Sequence, residues 1–353
     1  MSLNERVAPN RNHRVLVIVP THDHHETLAF SVRSILEQTV DDIEIVIVGD
    51  GVTTEVRSAA RDLCAVDERV RFDDHPKTAR HGEELRDRVI RESAATFIAY
   101  NGDDDLWFPD HLETMLSTIE GFDFAHPLPI LIDAHGIPYF LPSNLRDPSS
   151  IAWHLGPRPR NSISLSGVVH TRESYMRLPH GWRTTPIGRW TDHYMWEQFF
   201  EQDWFRGVTA PRSTTLKLVA VGRDEERTGS RAVEMRAWWD RLHSPGFATE
   251  WDRSVRDAVW KAAVNLNVTS ATQEDEITCL RNVIDDTIAA LNESVADRDH
   301  LRGELAHVER ELETVRTNFE HATDELELIR STISWRLTKP LRFVRRFLSR
   351  RTG

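Results

Sequence analysis

Two stretches decide the fold class: Val15-Leu16-Val17-Ile18-Val19-Pro20-Thr21, and Ile43-Glu44-Ile45-Val46-Ile47-Val48-Gly49-Asp50-Gly51. Both are short, β-branched and closed by turn residues, as expected of central parallel strands buried on both faces. Between them Leu28, Val32, Ile35 and Leu36 recur at helical spacing, so an amphipathic helix packs back on the sheet. Outward from this pair the alternation continues. A polar helix is expected from about Thr54 to Ala65, a short strand at Val70-Arg71-Phe72, a helix from about Gly82 to Ser93 and a strand from Thr96 to Tyr100. Strand, helix, strand, helix is the signature of an α/β fold with a mostly parallel sheet and helices on both faces. Polar residues stand at three strand exits, where ligands of open parallel sheets bind. No Gly-x-Gly-x-x-Gly follows the first strand, which argues against a dinucleotide-dependent oxidoreductase.

The last of these strands runs into Asn101-Gly102-Asp103-Asp104-Asp105. Three carboxylates in one turn repel one another unless a cation, hydrogen bonds or water relieve them. Magnesium or manganese shared with a diphosphate is one relief. A solvated loop leading into the helix that begins at Pro109-Asp110-His111-Leu112 is the other reading of the same residues. The three imidazoles of His22, His24 and His25 lack a zinc-site spacing, and Cys64 and Cys279 have no Cys-x-x-Cys partner. Trp107, Trp182, Trp190 and Trp196 are candidates for stacking on a sugar ring or for core filling.

The stretch Asp104-Asp105-Leu106-Trp107-Phe108-Pro109-Asp110-His111-Leu112 widens the reading. Taken with Pro20-Thr21, Gly49-Asp50-Gly51 and Ser34-Ile35-Leu36-Glu37-Gln38-Thr39, it resembles the family 2 glycosyltransferases of GT-A fold, over roughly residues 14–220. The resemblance implies an inverting, metal-dependent transfer from a nucleotide-diphosphate sugar, a UDP-sugar by preference, with Mg2+ or Mn2+ as cofactor. It places Pro20, Thr21 and His22 beside the base, Asp50 on the base or ribose, and Arg86 and Asp103 near the nucleotide sugar. Asp104 and Asp105 are the implied metal ligands, with Asp104 on the usual ligand position by the Trp107-Pro109 anchor. The family's first acid of that element is replaced by Gly102, and the first acid of its Asp-Asp-Gly by Gly49. Asp192, in Thr191-Asp192-His193-Tyr194-Met195-Trp196, resembles the family's catalytic base, and nearby apolar residues would raise its pKa. The same carboxylate would also suit a helix start.

From about Phe122 to Leu218 the pattern is irregular and rich in Pro, Gly and Trp, as an acceptor side would be, and about Ala232 to Leu266 is helical. These residues complete an expected glycosyltransferase domain over 1–268. From Ile277 Gly and Pro nearly vanish. Leu301, Leu305, Val308, Leu312, Val315, Phe319, Ala322, Leu326, Ile329 and Ile333 follow a heptad seam, preceded by a shift of register near Asp297-Arg298-Asp299. A coiled coil over 272–332 that makes a homo-oligomer is expected, against one helix folded back on the globular unit.

The formal net charge is -12, yet residues 331–353 carry seven Lys/Arg and no acid. An acidic body argues against nucleic acid as partner. In the basic tail, 333–353, Leu341, Val344, Phe347 and Leu348 lie to one side of a helix restarted at Pro340, the pattern of an interfacial helix on anionic lipid. The five-residue apolar run at Val15 is too short for a secretory signal, and no run is long enough to span a bilayer. The expected location is therefore cytoplasmic, peripheral at the inner face of the cell membrane. The expected acceptor is a cell-envelope or lipid-linked glycan. The rival reading is a catalytically weak family member that serves as a coiled-coil membrane scaffold.

Overall fold

A computed structural model describes residues 13–156, 161–219, 228–268 and 274–331. The basic tail therefore lies outside the described residues. Among the described residues no helix is long and apolar enough to cross a membrane. The chain divides into two units, residues 1–291 and 292–353.

In chain order the first unit opens with β1 (Val15–Thr21), α1 (His25–Leu36), β2 (Ile43–Asp50), α2 (Thr54–Val66), β3 (Val70–His75), α3 (Glu83–Glu92) and β4 (Phe97–Tyr100). It continues through β5 (Leu106–Trp107), α4 (His111–Thr118), β6 (Phe124–His126), β7 (Ile130–Ile132), β8 (Pro138–Phe140) and α5 (Pro148–His154). Then come β9 (Val169–Thr171), α6 (Arg172–Met176), α7 (Thr191–Phe200), β10 (Gly207–Thr209), β11 (Thr215–Leu218), α8 (Thr228–Leu242), α9 (Phe247–Val268) and α10 (Glu274–Ser331).

Seven strands form the main sheet in the order β10-β6-β9-β4-β1-β2-β3. Pairing is parallel throughout except at β9, which runs antiparallel to both β4 and β6. β1 lies inside the sheet, between β4 and β2, where its five apolar residues from Val15 to Val19 can face a core on either side. Val15, Val17 and Val19 pack with Leu28, Val32 and Ile35 of α1, Val56 of α2 and Leu112 of α4. Leu16 and Ile18 pack on the other face with Ile90 of α3, Tyr175 of α6 and Trp196 and Phe199 of α7. Each such buried side chain contributes roughly 1.5–3 kcal/mol, so an unbroken apolar run selects the centre of a doubly covered sheet. The α/β expectation with helices on both faces holds.

The irregular stretch after Phe122 supplies more than a loop region. β5, β11, β7 and β8 make a second, four-stranded sheet, covered by α8, α9 and the first turns of α10. The helical segment expected from Ala232 is two helices, separated at Ser244-Pro245-Gly246, where Gly246 has φ +84°. A side chain with a Cβ rarely takes that conformation, and the preceding proline blocks continuation of α8.

α10 runs unbroken through Asp297-Arg298-Asp299, so the change of register there does not interrupt the helix. Its environment changes instead. Leu280, Val283, Ile284 and Leu291 are buried, with Ile284 and Leu291 in the cluster of Trp238, Trp251 and Val255. The first part of the helix is thus folded back on the globular unit. Every residue from 301 to 328 is exposed.

Candidate functional site

The ends of β1, β2 and β4 meet at one edge of the main sheet. At β2, Asp50 is buried, accepts a hydrogen bond from the backbone N–H of Thr78 at 2.6 Å and forms an ion pair with Lys77. Burial pushes its carboxyl up, but Lys77 and Thr78 outweigh that and hold it below the usual carboxylate range. Glycine on either side makes the cradle possible. Gly51 has φ +67°, and a Cβ there would meet Lys77 Cβ at 2.5 Å. Gly82 has φ +73°, and its Cβ would come within 3.1 Å of Asp50 Cβ. His22, next after β1, places Nδ1 2.8 Å from the Asp50 carbonyl oxygen, tying the two strand ends together. His22, Thr21 and Asp50 are thus brought to one place. The roles of Lys77 and Thr78 had no sequence signal, since they sit in an ordinary polar loop after β3.

The acidic turn is built from below by α1. Ser31 Oγ donates to the Asp105 carbonyl at 2.8 Å, and Ser34 Oγ accepts from the Trp107 N–H at 3.1 Å. Gln38 donates to the Phe108 carbonyl at 2.7 Å and accepts from the Leu112 N–H at 2.8 Å. Ser31 and Ser34 on one face of α1, with Gln38 just beyond its end, thereby pin the backbone of 105–112. Trp107 is fully buried with the His111 ring 4.3 Å from its own, and Trp182 and Trp196 are core residues as well. Of the four tryptophans considered for stacking, Trp190 is the exposed one.

Each carboxylate of the turn has its own cationic or imidazole partner. His24 Nδ1 lies 3.0 Å from Asp103 Oδ1, and that hydrogen bond raises the imidazole pKa against the opposing effect of burial. Arg231, at the start of α8, pairs with Asp104 and also donates to the Leu218 carbonyl at 3.1 Å. Asp105 is wholly buried: Lys217 Nζ is 2.7 Å from Oδ2, Ser166 Oγ donates to the same oxygen, and the Leu218 N–H reaches Oδ1 at 2.9 Å. The turn is relieved by side chains of β11 and α8, more than 100 residues downstream. Lys217 is the lone charge in Thr215-Leu216-Lys217-Leu218, but it falls on the polar side of a regular alternation and so does not stand out. Nothing local marks Arg231.

Gly102 has a steric cause. A Cβ there would lie 2.9 Å from Asp105 Oδ2 and 3.2 Å from both Asp104 Oδ1 and Ser166 Oγ. With Asp105 folded inward, no acid fits at 102. Gly49 is similarly confined, with its would-be Cβ 2.9 Å from the Phe72 ring.

Asp192 is the second residue of α7, whose N-cap is Trp190. Its Oδ1 accepts from Asn161 Nδ2 at 2.8 Å and from the His193 N–H at 2.8 Å. Burial pushes its pKa up, and these bonds together with the charge of Lys217 only partly offset that. Lys217 therefore links the field at Asp192 to the Asp105 carboxylate. Arg86 is buried with its guanidinium 4.1 Å from the centre of the Trp182 ring. Burial lowers its pKa, opposed by Glu83 and more weakly by Tyr100 and Asp192.

Buried polar atoms without a described partner occur on these same residues: Thr21 Oγ1, Arg86 Nε, Asn101 Oδ1 and Arg231 Nε. These are four of the twelve such atoms among the described residues, and a polar ligand at this site would satisfy them. Among the described residues no three His, Cys, Asp or Glu side chains form a protein-only metal cage. Asp103 and Asp104 can still contribute one oxygen each to a divalent ion completed by a diphosphate and water, which is how magnesium is commonly held.

The family model for glycosyl transferase family 2 matches residues 16–178, the span that contains the Asp50 cradle and the acidic turn. Residues 16–178 thus match a family 2 glycosyltransferase domain. An uncharacterized glycosyltransferase of Rickettsia bellii is 29% identical over 128 residues, covering 36% of this chain and 18% of that protein. One of Rickettsia felis is 30% identical over 115 residues, covering 32% and 19%. The matches thus span about a fifth of those relatives. Among solved structures, Staphylococcus aureus TarS 1-349 in complex with UDP-GlcNAc has a TM-score of 0.47 at 12% identity, covering 79% of this chain and 81% of that one. The mannosyltransferase PcManGT of Pyrobaculum calidifontis, in complex with GDP-Man and Mn2+, has a TM-score of 0.42 at 17% identity, covering 83% and 90%.

Proposed function

We propose that this glycosyltransferase domain moves a sugar, with inversion, from a nucleotide-diphosphate donor, a UDP-sugar, to a hydroxyl of a cell-envelope or lipid-linked glycan. The observation that carries the reading is a pair of differently tuned acidic centres at one sheet edge. Asp50 is held ionised by Lys77 and Thr78, while Asp192 has its pKa raised by burial.

In this reading Asp50, with Thr21 and His22, receives the base and ribose, and an ionised carboxylate suits hydrogen-bond donors there. Arg86, its Nε unpartnered, serves the nucleotide-sugar side. Asp104, with Asp103, holds Mg2+ or Mn2+, which when bound neutralises charge on the leaving diphosphate. Asp105 was expected as a second ligand. Its oxygens already receive bonds from Lys217, Ser166 and the Leu218 N–H, and we assign it instead to bracing the turn. Arg231, which pairs with Asp104, would have to give up that carboxylate for Asp104 to serve as a ligand. Asp192 takes the acceptor's hydroxyl proton; the acceptor oxygen bonds to the anomeric carbon while the carbon–oxygen bond to the diphosphate breaks, and the nucleoside diphosphate leaves with the electron pair. A raised pKa makes Asp192 a stronger base.

The location at an anionic membrane face rests on the basic tail, and the scaffold alternative rests on the same tail with the helical seam. A thermal-shift panel of UDP-, GDP- and dTDP-sugars, each with and without Mn2+, separates these readings. Stabilisation by one nucleotide class that grows with Mn2+ is expected. No shift with any donor would reject the transferase reading and leave the scaffold.

A further inference from the structure

The exposed half of α10 carries its large apolar side chains in a pattern. Leu301, Leu305, Val308, Leu312, Val315, Phe319 and Leu326 are each between 55% and 72% exposed. Their spacings alternate between four and three, which assigns Leu305, Leu312, Phe319 and Leu326 to heptad positions a and Leu301, Val308, Val315 and Ala322 to positions d. A contiguous apolar stripe of this length on a water-facing helix marks an interaction surface.

Charges flanking the stripe identify the partner. The g positions are Glu304, Glu311, Asn318 and Glu325; the e positions are Arg302, Glu309, Arg316 and Thr323. A parallel, in-register neighbour sets each g against the e five residues on. Glu311 then meets Arg316 and Asn318 meets Thr323, with Glu304 against Glu309 the one repulsive pair. An antiparallel neighbour sets g against g and e against e. The three acids of the g row would then face one another, and so would the two arginines of the e row. A helix with acid on one flank and base on the other complements a parallel copy of itself. Branching sets the number of strands: β-branched valine at d with leucine at a disfavours two-stranded packing and favours three or four.

We propose that residues 301–328 form the seam of a parallel, in-register coiled coil of three or four copies of this chain. The inference stands apart from the reading of the catalytic site. Assembly would bring three or four copies of the glycosyltransferase domain into one complex, so several sites could act on one acceptor or surface.

The test uses the full chain with single cysteines introduced on the seam, and a short homobifunctional maleimide as cross-linker. The unmodified chain, with Cys64 and Cys279, is the control. Val308→Cys and Val315→Cys should each cross-link to themselves well above that control. A mixture of Leu301→Cys with Leu326→Cys should give no Leu301-to-Leu326 link, because those positions lie about 37 Å apart in a parallel bundle at roughly 1.5 Å per residue. The mixed product read by mass spectrometry would overturn the parallel register. Light scattering should give three or four times the chain mass, falling to one with Leu312→Lys and Val315→Lys together. A single-chain or two-chain mass for the unmodified protein would overturn the proposed assembly.

Discussion

The acidic turn after β4 and the carboxylate at the start of α7 are joined through Lys217, yet they hold negative charge in opposite ways. In the turn, three carboxylates are met one for one by His24, Arg231 and Lys217, and Asp50 nearby is met by Lys77. At α7, Asp192 is half-buried, with hydrogen bonds to Oδ1 from Asn161 and its neighbour's amide and a pKa that desolvation pushes up. The first arrangement gives each carboxylate a fixed donor, and at Asp50 it holds the group below the usual carboxylate range. The second leaves a carboxylate that gains by accepting a proton. Sites that divide binding from proton transfer commonly push the pKa values of their carboxylates apart in this manner.

The largest effect expected from this contrast is at Asp192. Asp192→Asn should lower transfer by roughly 10²–10⁴-fold, the usual worth of a general base. The sign of the stability change is opposite. A carboxyl whose folded pKa is raised above its unfolded value loses stability as pH rises through that window, so at neutral pH the ionised, buried group is a cost. The asparagine variant should therefore melt no lower than the parent at pH 7, and the activity of the parent should fall as pH drops through the raised pKa. A variant that loses activity and stability together would make Asp192 a structural residue and collapse the contrast.

How far this division could be read beforehand depends on distance along the chain. The sheet was legible because Val15 to Val19 and Ile43 to Val48 are continuous and apolar, and the cradle at Asp50 was visible in Gly49-Asp50-Gly51. The backbone clamps from Ser31, Ser34 and Gln38 were present in the quoted motif as residues without an assigned purpose. The short strands β6 to β11 were not legible, since runs of three residues carry no period. Nor were the turn's counter-charges. Sequence alone left the three carboxylates in need of a cation, and an external metal was one answer. The fold brings Lys217 and Arg231 from more than 100 residues away, so two of the three carboxylates in the bare turn already have a cationic partner. Asp105 is the clearest instance, because its inward rotation depends on Lys217 and Ser166. The helical seam was legible as a period, but which half faces the globular unit was decided by Trp238, Trp251 and Val255, which the heptad pattern does not encode.

A second break falls on the brace itself. Lys217→Met leaves Asp105 buried with only neutral donors, and removing one partner of a buried ion pair costs roughly 3–5 kcal/mol. Lys217 is partly exposed, which places the effect toward the lower end. Urea unfolding should show the loss, and Lys217→Met combined with Asp105→Leu should recover much of it. An unchanged midpoint for the single variant would show that Ser166 and the Leu218 amide suffice, and that Asp105 is free to serve as a ligand after all.

The smallest effect tests whether the turn's counter-ions are permanent or exchangeable. Arg231 pairs with Asp104 while its Nε stays buried and unpartnered, an arrangement that satisfies the carboxylate better than the guanidinium. A divalent ion approaching Asp104 has to compete with that guanidinium, since two cations within a few ångströms repel at any dielectric. Arg231→Ala should therefore tighten Mn2+ binding in the absence of donor, by about tenfold if the competition is worth about 1.4 kcal/mol. Electron paramagnetic resonance of free Mn2+ reads this without turnover. Arg231→Lys, which keeps the charge but loses the planar fork, should bind Mn2+ close to the parent. Weaker binding in the alanine variant would mean that Arg231 positions Asp104 rather than competing for it, and the turn would then be as fixed as the Asp50 cradle.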